Sequence, residues 1–189
     1  GMPLRELDHE FKIYSDEIRR IKQYTSLNYS LMHWQTAINL LQDSPNPVEL
    51  NGTAYEEKVM VDKHLAANDK TALFKYHLLK MMLNYLFGNI FQAYEHGLKG
   101  SKYIDAVTGM YVIVAFHFYY GLVMAAKIEM DDASPDQKRA RKVLATSIKK
   151  FKQWAKHSPV NNQQKYELLL AESARISGQN DLARASYKR

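Results

Sequence analysis

Residues 107–126 read VTGMYVIVAFHFYYGLVMAA, twenty positions without a Lys, Arg, Asp or Glu. A run this long and apolar has two homes: the hydrocarbon of a bilayer, or the centre of a helical stack that covers it on every side. His117 stands in its middle with Tyr119 and Tyr120 beside it, and the chain holds only one such run. These polar tips favour the second home. The run is expected to be a buried central helix that continues to about Glu129, with no membrane span.

The remaining sequence supplies helices to cover it. Pro and Gly number only 5 and 8 in 189 residues, and the stretches between them carry apolar residues at steps of three and four. Leu4, Leu7, Phe11, Tyr14, Ile18 and Ile21 share one stripe of a helix over 3–23. Leu27, Leu31, Trp34, Ile38 and Leu41 do the same in a helix opened by Ser26, so the two form a hairpin over 3–43. A linker over 44–53 follows, rich in Pro and turn formers. Helices are then expected from Ala54 to Ala67 with Thr53 as cap and Glu56 and Glu57 in the first turn, and from the Asn68-Asp69 cap to Phe87. Further helices are expected over 89–103, from Ser134-Pro135-Asp136 to His157, over 161–177 and over 180–189. No alternating strand pattern occurs. The fold class is all-α: one domain of stacked antiparallel helix pairs.

Composition agrees with a globular chain, at 46 % apolar and 24 % charged. The absence of cysteine removes disulfides, thiolate metal sites and cysteine nucleophiles, and it fits a cytoplasmic setting. Charge throughout the first twenty residues (Arg5, Glu6, Asp8, Glu10, Lys12, Asp16, Glu17) argues against a signal peptide. Gly1 ahead of Met2 reads as a remnant of tag removal. The chain ends at Tyr187-Lys188-Arg189 without a helix stop, so a piece of a longer protein is expected.

Two junctions share a pattern. In YLFGNIFQAYEHG and RISGQNDLARASY, a glycine (Gly88, Gly178) precedes a short turn and an alanine (Ala93, Ala183) falls five residues later. Glycine releases the first helix, and alanine lets the second approach its partner. The pattern resembles the helix-turn-helix unit of tetratricopeptide repeats, which implies a right-handed superhelix. A second resemblance covers nearly the whole chain. Trp154, Pro159, Asn161, Lys165-Tyr166, Ala171-Glu172, Arg175, Gly178, Ala183 and Tyr187 are similar to the helical repeat region of large bacterial and fungal signalling proteins. So are INLLQDSPNPVELNGTAYEE, LNYLFGNIFQAYEHG and Phe118-Tyr119-Tyr120 upstream. Those proteins join a kinase-like domain and a predicted ATPase to this region, a GAF domain and a histidine kinase. The resemblance implies a regulatory module in signal transduction; the family's ATP-binding and phosphoacceptor motifs have no counterpart here.

No phosphate loop, GxGxxG, HExxH or serine elbow is present. The seven histidines (9, 33, 64, 77, 96, 117 and 157) show no ligand spacing and are expected to pack or face solvent. Glu56-Glu57 and Asp131-Asp132 are expected to be solvated charges near helix ends. No catalytic residue, cofactor or metal is therefore expected, and the chain is not expected to be an enzyme.

Residues 137–156 carry eight cations and no acid. On a helical projection Lys138, Lys142, Lys149, Lys152 and Lys156 form one stripe, opposite Val143, Leu144, Ile148, Phe151, Trp154 and Ala155. That stripe is a solvated face, or a contact for an acidic partner such as a neighbouring domain, or a contact for nucleic acid or anionic lipid. Inward Phe151 and Trp154 argue against stacking of single-stranded bases. A second candidate is a pocket lined by Tyr111, Phe116, His117, Tyr119 and Tyr120, with Tyr76, His77 and Tyr85 near them, although such tyrosines also serve as core. The expected function is protein–protein or interdomain interaction; small-molecule sensing and nucleic-acid contact are the alternatives.

Overall fold

The computed structural model describes residues 2–41, 46–130 and 136–189. Among them the stepping of apolar residues produces nine α-helices and no strand. These are α1 (Leu4–Arg20), α2 (Tyr24–Leu41), α3 (Glu57–Ala66), α4 (Lys70–Leu86) and α5 (Ile90–Ser101), then α6 (Val112–Met130), α7 (Gln137–His157), α8 (Pro159–Arg175) and α9 (Asn180–Tyr187). A short 3-10 helix, Ile104–Val107, joins α5 to the approach to α6.

Consecutive helices pack on one another from α3 onwards and in the α1–α2 pair, and helices two apart touch as well: α2 with α4, α4 with α6, α6 with α8. α6 is the hub. It meets α4, α5, α7 and α8, and Phe116, Val123 and Met124 lie in the main core with Phe74, Met81, Phe151 and Leu169. Close approach is built in. The Tyr120 ring lies where a side chain on Gly97 of α5 would stand, and Leu169 of α8 does the same at Gly121. A smaller core of Met32, Leu50, Tyr55, Leu79 and Leu83 joins α2 and α4 to the segment before α3.

Four junctions end their helix in one way. The chain turns through a left-handed residue whose N–H bonds three residues back, and the next N–H reaches five residues back. The four are Lys22 (φ 58°), Asn68 (φ 49°), Gly88 (φ 79°) and Gly178 (φ 73°). Five residues after each stands a buried apolar side chain: Leu27, Leu73, Ala93 and Ala183. The Gly88 and Gly178 junctions were legible as a repeated pattern; the other two carry side chains and were not.

Four boundaries need correction. Ser26 does not open α2, which begins at Tyr24 and holds Ser26 in its first turn. The apolar run is not one helix from residue 107, because Gly109 (φ 82°) turns the chain and α6 begins at Val112. Thr53 does not cap α3. Residues 51–56 form a tight turn, closed by the Gly52 N–H on the Tyr55 carbonyl at 2.9 Å, and α3 starts only at Glu57. Pro159 opens α8 as well as ending α7. Asp69 does cap α4, accepting the Ala72 N–H at 2.9 Å. The expected start at Ser134-Pro135 and the pair Asp131-Asp132 lie outside the described residues. α6 is the one helix among the described residues long and apolar enough to cross a membrane, and half of that span is buried against its neighbours.

Candidate functional site

α7 divides as its sequence demands. Ala140, Leu144, Phe151 and Ala155 are buried, and Trp154 and Val143 are half-buried on the same side. Lys138, Lys142, Lys149, Lys152 and Lys156 are all exposed, and none of their ammonium groups meets an acid among the described residues. Lys150 lies off the stripe, its ammonium 5.8 Å from the centre of the Trp154 ring.

A groove of about 340 Å³ runs between α7 and α8 along one flank of this stripe. Leu144, Ala145, Ile148 and Ile176 make its floor, with Arg141, Lys149 and Lys152 on one rim and Ser173 and Ser177 on the other. An apolar floor under cations suits a segment that presents an apolar anchor among acids. Where α8 turns into α9, Arg175 bonds Glu129 of α6 at 2.9 Å and Glu172 at 2.8 Å. The Tyr187 hydroxyl donates to Glu172. Glu172, Arg175 and Tyr187, three of the residues that carry the resemblance, thus tie α6, α8 and α9 together.

The five proposed pocket residues do not meet in one groove. Four of them follow the helical period of α6 and Tyr111 stands just before it, and the five part in three directions. Tyr111 (exposed) and Tyr119 (half-buried) face a cavity toward α1, α2 and α4. Phe116 packs on Phe74 at 5.1 Å between ring centres, and Tyr120 lies on Phe116 and against Gly97. His117 turns to Trp154 at 5.9 Å. Burial, helped by Lys150, pushes His117 down to about 4, so it packs as a neutral ring.

Three polar clusters had no sequence signal, because their members are far apart in the chain. Glu57 is more than a solvated charge: it pairs with Lys80 at 2.8 Å, accepts the Tyr76 hydroxyl at 2.7 Å and accepts the Leu50 N–H at 2.8 Å. Gln35 accepts the Ala54 N–H at 3.0 Å and donates to Asn39 at 2.8 Å, holding the 51–56 turn on α2. His77 of α4 and His96 of α5 meet Nδ1 to Nδ1 at 3.0 Å. Burial above all, with Lys99 among the nearby cations, lowers them to about 3 and about 4. A cation between them would face that same positive field. Among the described residues no three His, Asp or Glu side chains are grouped to hold a metal.

The chain matches no family model, no curated protein and no solved structure.

Proposed function

We propose that this chain is a non-catalytic helical repeat module that binds an acidic protein segment along α7. The observation that carries the reading is the exposed lysine stripe, which meets no acid among the described residues, beside the apolar α7–α8 groove. Exposed like charges repel one another, and an acidic segment relieves that repulsion while its apolar side chain covers Ile148 and Ile176.

The contacts between helices two apart, with four alike helix ends, support a tetratricopeptide-like right-handed superhelix. Within a cytoplasmic signal-transduction protein of the kind the sequence resembles, the segment belongs to a neighbouring domain, and the module couples domains by steric or conformational means. Nucleic acid is the other polyanion such a stripe meets, and here the aromatic rings of α7 are turned inward, away from base stacking.

The test is fluorescence anisotropy with a labelled helical peptide carrying glutamates around a leucine anchor, beside the same peptide with lysines for glutamates. The acidic peptide should bind, and Lys149→Glu with Lys152→Glu should weaken binding by at least about a hundredfold. Equal binding of both peptides, or none, contradicts the proposal.

A further inference from the structure

A cavity of about 350 Å³ lies between α1, α2, α4 and α6, and the α7 surface makes no use of it. We propose that it is a binding site for an uncharged, largely apolar small molecule, with α1 as its movable wall.

The volume falls in the range of small-molecule pockets, roughly 300–1,000 Å³. Four helices wall it: Leu7 and Phe11 from α1, Leu40 from α2, Met82 from α4, Ala115 and Tyr119 from α6. No Asp, Glu, Lys or Arg is among the lining residues. An ion entering would lose its water without meeting an opposite charge, which selects against both signs.

The polar atoms of the lining are neutral. The Thr36 hydroxyl is already given to the Met32 carbonyl at 3.0 Å. The His33 ring and the Tyr119 hydroxyl make no hydrogen bond among the described residues, so they remain to meet one hydroxyl or carbonyl of a ligand. Burial, then Lys75, pushes His33 down to about 4, so it offers that bond uncharged.

α1 is the wall best suited to move. Its main helical neighbour is α2. Two side-chain bonds tie it there: the Trp34 indole N–H to Asp8 at 2.7 Å, and Ser15 to Ser30 at 3.2 Å. Ser15 is its one buried residue, and Ile13 and Tyr14 in it and Ile21 just after it are exposed. Trp34 sits next to His33 and holds α1, so its fluorescence reports on that wall.

Decanol below its solubility limit in water, and decanoate and decyltrimethylammonium below their micellar concentrations, test the site by calorimetry and tryptophan fluorescence on the intact chain. Decanol should bind about tenfold or more tighter than either ion, with a change in tryptophan emission that persists in Trp154→Phe. Ala115→Leu, which extends a side chain into the cavity, should weaken decanol at least about tenfold without lowering the melting temperature. Ala37→Leu does the same from the opposite wall, and the selectivity of the unaltered chain needs neither variant. Three outcomes overturn the proposal: no decanol binding, equal binding of all three compounds, or decanol binding that survives both leucines. Sedimentation showing a dimer that buries α1 also overturns it, since a second copy would then be the occupant.

Discussion

Lys22 and Gly88 hold the same left-handed position in the same helix-ending turn, φ 58° and 79°, though one has a long side chain and the other has none. Asn68 and Gly178 complete the set. An L side chain there costs about 1 kcal/mol, which glycine avoids. Lys22→Gly and Asn68→Gly should each raise stability by roughly 0.5–1 kcal/mol, and Gly88→Ala and Gly178→Ala should each lower it by about 1 kcal/mol. Urea midpoints at constant slope measure all four.

Acid should loosen the fold in a defined window. Burial holds His33, His96 and His117 at about 4 and His77 at about 3, against 6.5 in the unfolded chain. Between those values the unfolded chain binds more protons, so stability is full above about pH 6.5 and falls as pH drops toward 4. Melting temperature against pH should show that slope, and His77→Asn with His96→Asn should flatten it.

The Glu57–Lys80 pair sits with side chains only 16 % and 7 % exposed. Lys80→Met leaves Glu57 charged with the Tyr76 hydroxyl and Leu50 N–H as partners, and should cost about 3 kcal/mol. Glu57→Gln with Lys80→Met should cost less than the two single changes summed, by about 1 kcal/mol or more. Chemical denaturation of the four proteins closes the cycle; strict additivity would mean the pair is not coupled.

Gly97 and Gly121 make room at the hub. A Cβ on Gly97 would stand 2.6 Å from the Tyr120 ring, and one on Gly121 would stand 2.7 Å from Leu169. Alanine at either should destabilise by about 1–3 kcal/mol through overpacking, despite its better helix propensity. Thermal melts decide the sign.

What could be read in advance was local. Steps of three and four place the helices, glycine marks two of the four repeated turns, and the lysines of α7 declare one face because a helix repeats every few residues. What could not be read depends on partners distant in the chain. Gln35 organises Ala54 and Tyr55 from nineteen and twenty residues away, and His77 meets His96 across nineteen. The start of α6 was hidden because Thr108-Gly109-Met110 is as free of charge as the helix it precedes. The five aromatic candidates were grouped by nearness in sequence, whereas the helical period sends them to three neighbours. The cavity toward α1 and α2 needs four separated helices, and only Tyr111 and Tyr119 pointed to it.

The most direct measurement is the affinity of the acidic anchor peptide for the unaltered chain and for Lys149→Glu with Lys152→Glu, at low and physiological salt. Binding should fall by at least about a hundredfold on double reversal, and should keep a salt-resistant part from the apolar anchor. Affinity unchanged by the reversal would contradict an acidic partner on α7.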